Sequence, residues 1–199
     1  MNRFLSLPFA AWLILCACGD KKGSAPAVAF TKIDSLTDVY LNLQDSMLYC
    51  WNMMIQDDNQ KHNAMKILVH ELHVAQQLDP EAYTSFNYRM EQLLRIRYTP
   101  KTMMNGDVVE EYDFASNSLV SELVAVSEAF PAYAYNTVLR DLVEQIRLAE
   151  QRVAGHRDSY DEYARRYNQF LEENAAYLSE LNQTGSFDKK PLFHMAAEE

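Results

Sequence analysis

Cysteine, glycine and proline are scarce in this chain, at 3, 5 and 6 of 199 residues. So few turn-forming residues exclude a fold made of many short, tightly connected strands and favour long elements. Basic residues are also in the minority, 18 Lys and Arg against 28 Asp and Glu, for a net charge of −10. A chain that acidic repels phosphate backbones, which argues against nucleic acid as a partner. It gains no attraction to an anionic lipid surface, so membrane attachment requires a lipid or an apolar span. No apolar run reaches the ~20 residues of a spanning helix. No glycine-rich phosphate loop is present, and no Ser/His/Asp or Cys/His set is suggested by spacing. What is present is apolar content of 48%, enough for one core and one domain.

Two of the three cysteines, Cys16 and Cys18, close the first apolar stretch in "LILCACGD". Asn2-Arg3 supplies one positive charge, and Phe4 to Leu15 has the length of a signal-peptide core. Leu15-Cys16-Ala17-Cys18 resembles a bacterial lipobox, which implies cleavage after Ala17 and lipidation of Cys18. The alternatives are an ordinary signal peptide or an N-terminal anchor helix. Under the lipobox reading residues 1–17 are a signal peptide, and several acyl chains anchor the protein stably. Residues 18–33 are then the lipidated cysteine and a tether containing "KKGSAPA". Cys50 is left as the one free thiol, which excludes an intramolecular disulfide.

From residue 34 to 182 helical spacing dominates. A first long helix, capped by Asp34 or Ser35, carries Leu36, Tyr40, Leu43, Met47, Cys50 and Met54, then Met65, Leu68, Leu72 and Ala75. Between these lies "QDDNQKHN", Gln56 to Asn63, two turns without an apolar residue. Asp79-Pro80 starts a second helix as N-cap and first helical residue. It carries Phe86, Met90, Leu93 and Leu94 and ends near Pro100. Asn105-Gly106 reads as the turn of the loop that follows. A third helix runs from Tyr112 to Phe130. The last long helix, Asn136 to Asn182, has a heptad seam: Leu142, Ile146, Ala149, Val153, His156, Tyr160, Tyr163, Tyr167, Phe170, Asn174, Tyr177 and Leu181. Unbroken, it would span ~70 Å. The expected fold is all-α, an elongated antiparallel helical bundle with long first and last helices, followed by a C-terminal tail over 183–199.

The residues able to carry chemistry are few. His70-Glu71-Leu72-His73 has its histidines at i and i+3, where a zinc protease motif needs i and i+4. The stripe of Tyr160, Tyr163, Tyr167 and Phe170 reads as core, with a ligand-binding groove as the alternative. His156 reads as a core histidine, Asn174 as a register-setting polar residue, and Cys50 as buried and inert. No cofactor is suggested. Asp57, Asp58, Lys61 and His62 lie close enough on one helix to satisfy one another as a solvated face. Alternatively, they form a partner surface; if helical, the stretch must either lie beyond the neighbouring helices or face a polar pocket between them.

The last 80 residues of the chain resemble the LemA family. "LVSELVAVSEAFP", Leu119 to Pro131, is similar to that family's Leu-Leu-Val-Val-x-Glu-Ala-Tyr-Pro signature. Leu139, Leu142, Glu150, Arg152, Val153, Ala154, Arg157, Tyr160, Tyr167 and Asn168 match the pattern of its last long helix. "KKPLF", Lys189 to Phe193, is similar to its Lys-Lys-Pro-Tyr-Phe close. Asp161 stands where the family has Asn, and His62 to Val69 replaces an Arg-Arg-x-Asp-Leu-Ile-Pro-Asn-Leu-Val run. The resemblance implies a LemA-like four-helix bundle tied to a bacterial membrane by its N-terminus, without an established catalytic activity. Some members are associated with membrane zinc metalloproteases or with magnetosome membranes, which implies an envelope protein partner of that kind. The leading expectation is therefore a lipid-anchored scaffold or adaptor of the cell envelope. Two alternatives stand beside it: a metal-binding or enzymatic protein using His62, His70 and His73, and a membrane-remodelling oligomer.

Overall fold

The computed structural model describes residues 31–181 and 187–194, with side chains through 179 and again from 187. The lipobox with Cys16 and Cys18, the signal peptide and tether through residue 30, the side chain of Leu181, and residues 182–186 and 195–199 of the tail lie outside the described residues. Within them the chain is all-helical: α1 Lys32–Val74, α2 Pro80–Arg95, α3 Gly106–Ala129, α4 Thr137–Glu173 and a short α5 Ala175–Leu181. Single 3-10 turns at Thr102–Met104 and Tyr133–Tyr135 precede α3 and α4. None of these helices is long and apolar enough to cross a membrane.

Two long helices pack antiparallel as the frame. At ~1.5 Å per residue, α1 is ~65 Å long and α4 ~55 Å. Pairing runs from Tyr40 beside Tyr167, through Trp51 beside Tyr160, to Asp57 bonded to Arg152. The shorter α2 and α3 cover only the far half of this pair. There Met65, Leu68, Val69 and Leu72 of α1 meet Met90 and Leu93 of α2, Leu119 and Leu123 of α3, and Leu139, Val143 and Ile146 of α4 in one core. The described helices thus form a four-helix bundle at one end and a two-helix stem at the other.

The caps follow local chemistry. Asp79 accepts from the Ala82 N–H at 2.7 Å, with Pro80 opening α2 as the sequence indicates. α1 ends where Gln77 N–H bonds the Leu72 carbonyl and Gln76 N–H that of His73, both at 2.9 Å. That Schellman arrangement places Gln76 at φ 58, a left-handed position glycine usually fills. Asn105 is an N-cap, accepting from the Asp107 N–H at 3.1 Å, so α3 starts at Gly106 rather than at Tyr112. The continuous last helix expected through Asn182 is broken at Asn174. Its side-chain amide donates to the Phe170 carbonyl at 2.9 Å, so Asn174 caps α4 instead of setting register. Beyond the break, Leu178 takes the buried position. Leu142, Ile146, Ala149, Val153, Tyr160, Tyr167 and Phe170 of the seam are buried, while His156, Tyr163 and Tyr177 are only partly so.

Candidate functional site: a polar layer and an aromatic box

The largest departure from the sequence reading lies in "QDDNQKHN". Asp57, Asp58, Lys61 and His62 are between 4% and 8% exposed, so neither the solvated-face reading nor the partner-surface reading matches their placement. The positions explain it. Met54, Asp57, Asp58, Lys61, His62 and Met65 follow one another at the spacing of a single helix face, and that face is the core face. The stripe is continuous; two of its turns are built from charge. Burial of charge is tolerable only where partners meet it, and α3, α4 and the segment after α2 supply them.

Asp58 is the hub. It accepts from the Tyr112 hydroxyl of α3 at 2.6 Å and lies 2.7 Å from the guanidinium of Arg97, just past α2. Lys61 sits 3.3 Å from its other oxygen and donates to Ser116 of α3 at 2.8 Å. Arg97 also donates to Asn59 at 2.8 Å. Asp57 faces α4, accepting from Arg152 Nε at 2.8 Å, with His156 Nε2 at 3.0 Å. Arg157 then ties α4 to α3 through a bidentate pair with Asp113, 2.7 Å on both arms, and donates to the Tyr98 hydroxyl at 2.6 Å. The layer therefore joins α1, α3, α4 and the segment just past α2 by side chains alone.

The electrostatics follow the geometry. Burial raises the Tyr112 pKa, and the carboxylate of Asp58 raises it further. Burial pushes the Tyr98 hydroxyl up to about 12 against the opposing pull of Arg157. Burial works against the charge on Arg157, but Asp113 and Tyr98 outweigh it and raise its pKa. Glu150 is raised by burial, with Lys61 opposing. His62 is lowered by burial and by the cations Arg97 and Lys66, and its Nδ1 has no hydrogen-bond partner. Cys50 is a free, buried thiol with its pKa raised by burial.

The other histidines do not join His62. His70 is exposed, and His73 stacks on Tyr83 at 4.2 Å with Nδ1 near the Leu78 carbonyl. Among the described residues no three His, Cys, Asp or Glu side chains are grouped to hold a metal ion.

Beside the polar layer, where the stem opens into the bundle, an aromatic box encloses Phe193. Trp51 stacks on its ring at 6.0 Å, while Tyr98 and Tyr160 meet it edge-on at 5.6 and 5.4 Å. Arg157 lies over the same ring at 5.1 Å. Phe193 arrives on an extended strap, residues 187–194, that the sequence reading assigned to a tail. Asp161, fully buried, accepts from the Phe193 and His194 N–H groups, each at 2.8 Å. Seven residues on, Asn168 brackets Lys190, accepting from its N–H at 2.7 Å and donating to its carbonyl at 2.9 Å. An open groove of about 490 Å³ runs beside the strap, floored by Met47, Trp51 and Tyr160 and walled by Met104 and Pro191.

Spacing on α1 held the signal for the buried charges, since Asp57, Asp58, Lys61 and His62 continue its apolar stripe. Arg97, Tyr112, Asp113 and Ser116 carry no comparable mark. Arg152, Arg157 and Asn168 were visible as motif residues without a role, and Tyr160 and Tyr167 as core residues of the seam. A family model described as the LemA family matches residues 89–199, which takes in α3, α4, the strap and most of the partners of the polar layer. No curated protein matches the chain. No solved structure matches it either.

Proposed function

This chain belongs to the LemA family, and from that membership and its polar layer we propose that it serves as a non-catalytic helical scaffold or adaptor of the bacterial cell envelope, anchored to a membrane through lipid on Cys18. The observation that carries the reading is how the ionisable groups are spent. Asp57 pairs with Arg152 and Asp113 with Arg157 across helices, while Asp58 pairs with Lys61 along α1 and with Arg97 just past α2. A reacting centre instead leaves a positioned acid, base or nucleophile facing a cleft. Groups engaged this way brace the bundle and fix one packing, which suits a rigid platform. The lipobox supplies the anchor, and an envelope protein such as a membrane metalloprotease is the class of partner in view.

Two experiments test the halves of this reading separately. Wild-type protein should take up labelled fatty acid, and Cys18→Ser should take up none and remain as uncleaved precursor. Absence of label on the wild type removes the anchor. Affinity purification from detergent-solubilised envelope should recover a specific envelope protein in stoichiometric amount. Recovery of none removes the adaptor role.

A further inference from the structure

The strap is held as a peptide ligand is held. It is neither helix nor strand, and four of its backbone groups are met by two side chains of α4. A helix has no free backbone groups to offer along its length. Asn168 takes the place of a neighbouring strand by bonding both the N–H and the carbonyl of Lys190. Asp161 gathers two successive N–H groups at Phe193 and His194. Pro191, between the two brackets, has no N–H and leaves none unmet. The side-chain anchor is the Phe193 ring among Trp51, Tyr98, Tyr160 and Arg157, an aromatic in a built pocket of the kind that dominates interfaces.

Asp161 is the second sign of a receptor. It is fully buried, and its nearest cation, Arg165, stands 3.9 Å away. Its charge is met chiefly by N–H groups of the strap. Charge complementarity points the same way: Lys189 of the strap pairs with Glu172 of α4 at 2.6 Å, and Lys190 lies over the Tyr167 ring at 5.5 Å. The strap is a basic element on a chain of net charge −10.

We propose that the aromatic box with Asp161 and Asn168 is a binding site for an extended peptide, filled in cis by residues 187–194 and able to take the same segment from a second copy of this chain. All the determinants lie in eight contiguous residues, so a second copy presents an identical ligand. Mutual exchange of the segment closes a two-fold dimer.

The test uses full-length protein. Phe193→Ala weakens the strap and leaves the site intact; Asn168→Ala and Asp161→Ala weaken the site and leave the strap intact. A fluorescent peptide with the sequence of residues 187–194 should bind Phe193→Ala saturably. Binding to wild type, whose own segment competes, should be at least tenfold weaker. Adding Asn168→Ala to Phe193→Ala should cost a further tenfold or more. This milder site variant is the one to use should Asp161→Ala fail to give the helical circular dichroism of wild type. Mixing Phe193→Ala with Asn168→Ala should give a sedimenting heterodimer that neither forms alone. Peptide binding no tighter to Phe193→Ala than to wild type, or indifferent to Asn168, overturns the site. Peptide binding without a heterodimer overturns the second copy as its occupant and assigns the site to a foreign peptide of this chemistry.

Discussion

The four-helix end and the two-helix stem are built from the same two long helices and solve burial differently. At the far end, α2, α3 and α4 surround α1, and Met65, Leu68, Val69 and Leu72 are wholly excluded from water. That enclosure makes a layer of buried charge workable, because partners arrive from three directions. In the stem only α4 faces α1, and Leu36, Tyr40 and Leu43 remain partly exposed. The stem compensates with ring size and with the strap. Tyr40 contacts Tyr167, Phe170 and Phe187, the last from the strap itself at 5.5 Å. The number of neighbouring helices decides which side chains can be buried, and the strap serves the stem as a third layer.

The largest expected effect is at the polar layer. Replacing Asp57, Asp58, Lys61 and His62 together by alanine should abolish cooperative thermal unfolding, since breaking buried charge pairs costs about 3–5 kcal/mol each and a domain holds only about 5–15 kcal/mol. Next, one substitution made at both ends measures the contrast directly. Leu68→Ala should cost about 2–5 kcal/mol in chemical denaturation, and Leu43→Ala, only partly buried, about 1 kcal/mol. Comparable losses would erase the distinction. Native-state hydrogen exchange should show amides near Leu36–Leu43 exchanging before those near Met65–Leu72.

Acidity acts on the four-helix end through His62. The unfolded chain takes up its proton near pH 6.5, while the folded chain, with a lowered pKa, resists it. Stability from this residue should therefore be full above pH 6.5 and fall as pH drops from there toward the folded pKa. His62→Gln should flatten that slope in pH-dependent melting. The smallest effect lies at the end of α1. Gln76→Gly relieves the left-handed position and should stabilise by about 0.5–1 kcal/mol in chemical denaturation; a loss would mean that the Gln76 side chain contributes more than its backbone costs.

Much of the frame was legible because it rests on local rules. Asp79-Pro80 capped α2 as read, and the seam from Leu142 to Tyr167 is core as its period requires. The polar layer was not, because two rules conflicted at Asp57 to His62. Residue type indicated water while spacing indicated the core, and the partners that decide between them, such as Arg97 and Arg152, stand 39 and 95 positions along the chain from Asp58 and Asp57. The strap carries no periodicity at all. Its hold depends on Asp161 and Asn168, which lie 22 to 33 residues away; Asn168 matches the family pattern and Asp161 departs from it, and neither reveals what it binds. The break at Asn174 turned on one side chain reaching the Phe170 carbonyl, a choice that heptad spacing does not register.

The central claim is that Asp58 and Lys61 belong to the interior of the bundle as a coupled pair. A double-mutant cycle on Asp58→Ala and Lys61→Ala, read by equilibrium denaturation, tests it most directly. The account predicts that each single variant loses about 3–5 kcal/mol, because each strands a buried charge. The double variant should lose clearly less than their sum, with a coupling energy above about 1.5 kcal/mol. Single losses within about 0.5 kcal/mol of zero that simply add are the mark of surface residues, and would contradict the account.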